Sequence, residues 1–238
     1  MAQRLVDIPG IGQVVLARRR GSRHLRLSVT ANGRVRVGMP TWTPYSVAIS
    51  FAKSRSKWID EQLKLHQVLI LESGSRIGKA HRLYFYQMTG SNPSTKTRVT
   101  KTAIEIKTSL DFKSSKVQAK AIAACNRALK SESTLLLPGR LAELARAHGY
   151  TYKDVQIKKL TSRWGSCSSQ KSISLSYYLI QLPWPLIDYV LLHELTHTKH
   201  LHHGKEFWAA LEQIMPEAKT VKKILKTYKP QIAPVLGM

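Results

Sequence analysis

PLIDYVLLHELTHTKHLHHGKEFW, residues 185–208, is the stretch on which the reading of this chain turns. A proline opens it, and Ile187, Val190, Leu191 and Leu192 follow, so the spacing predicts a largely buried helix from Pro185 to about Lys199. His193 and His197 stand four residues apart. On a helix that spacing puts two imidazoles on one face, about one turn apart, where both can reach a single ion. Glu194 is rotated onto the neighbouring face, where a carboxylate can act on a metal-bound water without being a ligand. Buried histidines and a buried carboxylate are costly without partners, and a metal ion is the obvious partner.

A third ligand has to come from beyond the helix. His203 lies six residues after His197, the spacing of the longer H-E-x-x-H-x-x-G-x-x-H pattern. A continuous helix would carry residue 203 about 15 Å past residue 193, at about 1.5 Å per residue. Zinc ligands converge within about 2 Å of the ion, so the helix must stop and the chain fold back. In the longer pattern a glycine makes that bend, and here His200 stands in its place. His202 and His200 are the rival third ligands, although His200 lies two turns along the face of His193, too far to share an ion comfortably. Phe207, Trp208 and Leu211 read as core beneath the site. They belong to a further helix, residues 206–215, stopped by Pro216.

Working outward, residues 155–160 and 172–176 alternate as strands around a loop at 161–170. Residues 116–129 and 138–148 are Ala/Leu-rich and helical in pattern, the second closed by Gly149. This second unit begins near Ser114. Before it, residues 22–40 read as a β-hairpin. Leu25, Leu27 and Val29 alternate on one side of an Asn32-Gly33 turn, and Val35, Val37 and Met39 on the other. Thr43-Pro44 resembles an N-cap followed by a first-turn proline. It opens one amphipathic helix carrying Val47, Phe51, Trp58 and Leu63, ending near Ser73-Gly74. Residues 81–88 and 103–107 alternate as short strands around a polar turn near 90–97. The expected organisation is α+β, with a small strand-rich domain over 1–112 and a metal-binding domain over 113–238.

Composition sets further bounds. The chain has 238 residues, 43% of them hydrophobic, which suffices for one large core or two modest ones. No run approaches the roughly 20 apolar residues of a membrane span. The first ten residues lack the apolar run of a secretory signal. Two cysteines, Cys125 and Cys167, cannot form a disulfide framework, so a cytoplasmic location is expected. Lys and Arg number 38 against 14 Asp and Glu, a net charge of +24. Residues up to 130 hold 24 basic and 6 acidic groups, and those after it 14 and 8. Such a balance favours polyanionic partners or anionic substrates, although a basic host proteome would give the same excess. Arg26, Arg34 and Arg36 fall on the polar faces of the hairpin, where nucleic acid or another polyanion would meet them.

The second motif is Ser162-Arg163-Trp164-Gly165-Ser166-Cys167-Ser168. Together with the histidine run it resembles the signature of the YgjP-like metallopeptidase domain family, relatives of the SprT-like and WLM proteases. The resemblance extends to the Arg-rich hairpin ending in Met39-Pro40, the Trp58-Ile59 pair, residues 162–175 and 189–208, and Met215-Pro216. Where relatives often carry Asn before the last histidine, this chain has His202. The resemblance implies a zincin-like catalytic domain with an added N-terminal domain, and a peptide or protein substrate. Arg163 has two readings: a charged donor for a developing oxyanion or anionic substrate group, or a structural ion pair. Arg163 and His202 are the candidate substrate-binding residues. Cys167 reads as a small buried residue, the alternative being a fourth ligand that would close the site and make it structural.

The resulting expectation is a Zn2+-dependent hydrolase. His193, His197 and His203 leave zinc one position for water, whose pKa the ion lowers to about 7, and Glu194 accepts the proton. The electrophile is a peptide carbonyl on the family resemblance. The alternatives are the phosphoanhydride of a nucleoside triphosphate, which suits the basic N-terminal half, and a polyanion-binding protein with structural zinc. An intact Glu194 argues against the last, since a structural site has no use for a carboxylate beside its metal.

Overall fold

The computed structural model describes residues 3–30, 33–65, 70–90 and 92–232. The chain is mixed α+β and divides into two compact units, Met1–Leu69 and Ile70–Met238.

The first unit is a four-stranded sheet with two helices. Its strands are β1 (Gln3–Ile8), β2 (Gly12–Arg19), β3 (Arg26–Val29) and β4 (Val35–Pro40), in the spatial order β1-β2-β4-β3. The expected hairpin is present as β3 and β4, with Leu27 opposite Val37, while Asn32 of its turn lies outside the described residues. β2 runs parallel to β4. Sequence reading missed β1 and β2, and β1 buries only Ile8, so it has little of the alternation that marks a half-buried strand. The single helix expected after Pro44 is two, α1 (Tyr45–Ser54) and α2 (Ser56–Leu65), broken at Arg55. Pro44 itself occupies the N-cap position with no side-chain capping bond, so Thr43 does not cap. The buried face consists of Ala48, Ala52 and Ile59, whereas Val47 and Trp58 are exposed. Small residues let α1 approach Leu16, Val37 and Met39 closely, which a pattern of large apolar residues could not indicate.

The second unit is organised by one long helix. β5 (Arg76–Ile77), β6 (His81–Gln87), β7 (Thr95–Val99) and β8 (Ala103–Thr108) form a sheet in the order β5-β6-β8-β7. β7 occupies the segment read as a turn, since its Thr/Lys/Arg composition hides a strand that β8 supports. Helix α3 (Ser115–Ala147) follows without interruption through Pro138, where two helices were expected. Proline removes the bond to the Thr134 carbonyl, but Thr134 is exposed and that carbonyl can face water. On either side of it Leu137 and Leu141 are fully buried, and Arg140 donates to both carboxylate oxygens of Asp188 at 2.8 and 2.7 Å. Tertiary packing therefore holds the helix together across the proline.

The stripe Val117, Ala121, Cys125, Ala128, Leu129, Leu137 and Leu141 shares one core with Leu83, Ile104 and Ile106 of the first sheet and with Ile173, Leu175 and Leu191. That shared core corrects the expected boundary near residue 112. The β5–β8 sheet belongs with the metal-binding elements, and the division falls between Leu69 and Ile70.

The remaining elements are β9 (Asp154–Lys158), β10 (Gly165–Cys167) and β11 (Ser172–Ser176), a 3-10 turn (Tyr177–Gln181), and helices α4 (Trp184–Thr196), α5 (Lys205–Ile214) and α6 (Ala218–Leu225). Their sheet runs β10-β11-β9, with β10 on its edge. β10 lies inside the segment read as a loop, and its three residues are too few to show alternation. Among the described residues no helix is long and apolar enough to cross a membrane.

A buried carboxylate locks the β5–β6 turn to α3. Glu132, 6% exposed, accepts from the backbone N–H groups of Lys79, Ala80 and His81 at 2.6, 3.1 and 3.1 Å and also contacts His81 Nδ1. Gly78 has φ +68°, and a Cβ there would collide with the Glu132 carboxylate, so only glycine fits this turn. Lys79 Nζ in turn donates to the Leu182 carbonyl at 2.6 Å, just ahead of α4. Glu132→Ala removes the acceptor from three N–H groups at once and should destabilise the protein by about 3–5 kcal/mol in urea unfolding. A loss below about 1 kcal/mol would show that water or neighbouring groups replace the carboxylate.

Candidate metal centre

Helix α4 is buried on almost every side. Leu186, Ile187, Tyr189, Val190, Leu191, Leu192 and Leu195 are all under 5% exposed, which leaves His193 and His197 to face the one remaining direction. The helix stops at Thr196, where the chain tightens. Thr198 N–H donates to Leu195 O and Lys199 N–H to Thr196 O, each spanning three residues rather than four. The Thr196 and Thr198 hydroxyls donate to Leu192 O and Leu195 O, at 2.8 and 2.7 Å. Residues 197–204 then reverse direction with no positive φ among them. The reversal therefore needs no glycine at position 200, and His200 fits there without strain. Gly204 begins α5, which carries Phe207.

The reversal brings three imidazoles together. The Nε2 atom of His203 lies 3.2 Å from that of His197 and 3.0 Å from that of His193. Three nitrogens at about 2.0–2.1 Å from a tetrahedral zinc would lie about 3.3–3.4 Å apart, so the spacing matches a shared ion. The Phe207 ring, fully buried, is the floor: its centroid is 4.9, 4.6 and 4.8 Å from those of His193, His197 and His203. His197 Nδ1 lies 3.0 Å from His200 O. A carbonyl only accepts, so the ring proton sits on Nδ1 and the Nε2 lone pair is directed at the cluster. Burial, then the neighbouring His197 and His203, hold His193 down at about 3, and burial lowers His197 as well. Both rings stay neutral near pH 7, the form that binds metals. The donor set fits a metal ion.

Glu194 is 5% exposed beside this cluster. Burial pushes its carboxyl up to about 8, opposed by the charge of Arg163. Its Oε2 has no hydrogen-bond partner among the described residues. Edge strand β10 runs directly over it, and a Cβ on Gly165 would come within 2.8 Å of Glu194 Cγ and Oε1. The glycine of the second motif thus makes room for the carboxylate, a role that spacing alone could not reveal. Tyr189, one turn before His193, is 3% exposed and was not singled out from the sequence. Burial first, then Glu194, raise its phenol to about 12, and its ring lies 5.8 Å from that of His193.

Other expected site residues are placed differently. Arg163 is exposed, forms no ion pair among the described residues and acts on Glu194 through its charge. His202 is exposed and outside the three-histidine cluster. His200 is turned towards Glu206, its Nδ1 3.7 Å from Oε2. Cys167 is half-buried, with Sγ donating to Ser168 O at 3.4 Å, and burial raises its thiol to about 11. It is not part of the cluster either.

Two solved structures are similar to part of this chain. One is the crystal structure of the metallopeptidase zymogen abylysin of Pyrococcus abyssi, 26% identical, covering 39% of this chain and 94% of that one with a TM-score of 0.35. The other is the metallopeptidase zymogen jannalysin of Methanocaldococcus jannaschii, 24% identical, covering 37% and 91% with a TM-score of 0.33. Comparison with curated proteins gave no match. The model of the YgjP-like metallopeptidase domain matches residues 23–228. That match runs from the loop before β3 to beyond α6 and takes in the histidine cluster, Glu194 and Gly165, so the chain belongs to the YgjP-like metallopeptidase domain family.

Proposed function

We propose that this chain is a zinc-dependent peptidase in which His193, His197 and His203 hold the ion and Glu194 is the general base. The observation that carries the reading is the convergence of three imidazoles beside a buried carboxyl, one oxygen of which has no hydrogen-bond partner among the described residues. When bound, zinc supplies a Lewis acid that polarises a carbonyl and lowers the pKa of water to about 7. Glu194 Oε2 accepts the proton of the attacking water and passes it to the departing amine. Gly165 lets β10 lie close above that carboxylate. The Arg163 guanidinium draws Glu194 towards its ionised form, and in this reading it also meets negative charge on the substrate. His202, exposed at the rim, is a candidate substrate contact.

The family favours a peptide carbonyl as electrophile over a phosphoanhydride. Cys167, with a protonated thiol outside the cluster, leaves the donor set at three, which fits a catalytic site better than a structural one. Two free thiols, Cys125 and Cys167, suit a reducing compartment, and we place the chain in the cytoplasm.

Glu194→Gln keeps the size of the side chain and all three histidines. The variant should retain metal, while turnover of a denatured protein substrate falls on the order of 100-fold or more. Assayed against a nucleoside triphosphate, the same pair separates the chemistries. A Glu194-dependent loss on the nucleotide alone would overturn the peptidase reading in favour of a phosphohydrolase.

The raised Glu194 carboxyl also has a signed consequence in chelator-treated protein. Unfolded, the group ionises near 4.5; folded, only near 8. Its contribution to stability is present below about 4.5 and is lost as the pH rises through about 8. Glutamine does not titrate, so the Tm of Glu194→Gln minus that of the parent should grow between pH 5 and pH 8. A constant or shrinking difference would mean that the carboxyl is not desolvated.

A further inference from the structure

The basic residues of this chain are not distributed by type at random. All eight at positions 1–36 are arginine, whereas all eight at positions 164–238 are lysine. Arginine presents a planar fork of donors that matches phosphate oxygens, and it is less strongly hydrated than lysine, so the choice at the start of the chain favours phosphate contact over simple solubility.

The first unit concentrates these arginines at one end of its sheet. Arg19, the last residue of β2, is in register with Pro40, and Arg26, the first of β3, with Gly38. Both strands flank β4, so the loop between them spans the end of β4, on feet about 10 Å apart at two strand spacings. Arg19, Arg20, Arg23, His24 and Arg26 line a concavity there of about 400 Å³. All five are exposed, and among the described residues none of the four guanidinium groups has an ion pair or hydrogen bond. Gly21 has φ +77°, and Ser22 N–H donates to Arg19 O while its hydroxyl donates to His24 O, so the loop is a formed turn. Arg36 is directly opposite Ser28, which is two residues along β3 from Arg26, and therefore lies on the same sheet face as Arg26. The one acidic residue of positions 1–59, Asp7, pairs with Gln13 at the far end of β2, about 20 Å along the strand from Arg19.

An aromatic ring stands at the same end. Thr43 N–H donates to Pro40 O, which turns the chain immediately after β4 and places Trp42 in that turn, two residues beyond the partner of Arg19. Trp42 is 75% exposed. An exposed indole at the same end of the sheet as unpaired guanidinium groups provides two complementary contacts, charge for a phosphate backbone and a flat surface for an unpaired base.

We propose that the loop 19–26 and Trp42 form a binding site for single-stranded nucleic acid, separate from the metal centre. The arginines hold consecutive phosphates and Trp42 stacks on a base. Because the contacts are to backbone and base face, the site is tolerant of sequence.

The test uses the full chain with fluorescein-labelled dT20 and rU20, a 20-base-pair duplex, and polyglutamate as competitor, by fluorescence anisotropy between 50 and 200 mM salt. The parent should bind the single strands more tightly than the duplex, and polyglutamate should displace them poorly. The dT20 and rU20 arms decide whether DNA or RNA is preferred. The combined Arg19→Gln, Arg23→Gln and Arg26→Gln variant should weaken binding at least tenfold and flatten the plot of log affinity against log salt by about 2, at about 0.7 per lost phosphate contact. Trp42→Ala should weaken binding at least fivefold with the salt slope unchanged, since stacking is worth about 1–3 kcal/mol per base. Glu194→Gln should bind as the parent does, so that loss of the peptidase reading and loss of this one are distinguishable. The proposal is overturned if the parent fails to bind at 50 mM salt, if duplex or polyglutamate competes as well as the single strand, or if either variant binds like the parent. Far-ultraviolet circular dichroism confirms that these exposed substitutions leave the fold intact.

Discussion

Three imidazoles, with His203 Nε2 3.2 Å from His197 Nε2 and 3.0 Å from His193 Nε2, are the constraint to which the second unit is built. Neutral rings have no strong attraction for one another, and protonating any of them would set positive charges side by side in a buried place. The arrangement is held from outside. α4 supplies two of the histidines from a helix whose other faces are buried in the core, and the tight exit through Thr196 and Thr198 turns the chain back so that His203 meets them. Phe207 stands beneath all three rings at nearly equal distances, so one fully buried side chain fixes the height of the whole cluster. The same burial lowers His193 and His197, keeping those rings neutral, and raises the Glu194 carboxyl to about 8. Glu194 therefore needs nearby positive charge, such as that of Arg163 or a bound cation, to reach the ionised form in which it can act as a base.

The position of α4 depends on α3. The Arg140–Asp188 pair joins the two helices, and Ser133 Oγ donates to the Tyr177 carbonyl in the 3-10 turn that leads into α4. Glu132 holds the β5–β6 turn, from which Lys79 reaches the Leu182 carbonyl and lies 5.1 Å from the centre of the Trp184 ring. Three residues within about two turns of one helix, Glu132, Ser133 and Arg140, thus fix both the strand-rich sheet and the entry of the histidine helix. This explains why the unit cannot be cut near residue 112, where the sequence changes from strand-like to helical patterning.

The sequence was most legible where chemistry and periodicity coincide. The spacing of His193, His197 and His203 requires a chain reversal, and the structure makes one without the glycine that the longer motif uses. The strands β9 and β11 were readable because apolar and polar residues alternate along them, and the helix α4 because its apolar residues are buried on nearly every side. Other elements were hidden for specific reasons. Pro138 reads as a helix break, and the burial of Leu137 and Leu141 on either side of it, with the Arg140–Asp188 pair, overrides it. β7 is polar and β10 is three residues long, so neither alternates enough to be seen. After Pro44, α1 packs through Ala48 and Ala52 and α2 through Ile59, while the large apolar residues Val47 of α1 and Trp58 of α2 are exposed. The function of Gly165 was invisible because it depends on the carboxylate of a residue 29 positions later.

The central claim is that the three histidines form a metal site with room for water and no fourth protein ligand. X-ray absorption at the zinc edge of the metal-loaded protein addresses it directly. Three nitrogen scatterers at about 2.0–2.1 Å with an additional oxygen at a similar distance are expected. A sulfur scatterer at about 2.3 Å would identify Cys167 as a ligand, close the site and contradict the catalytic account.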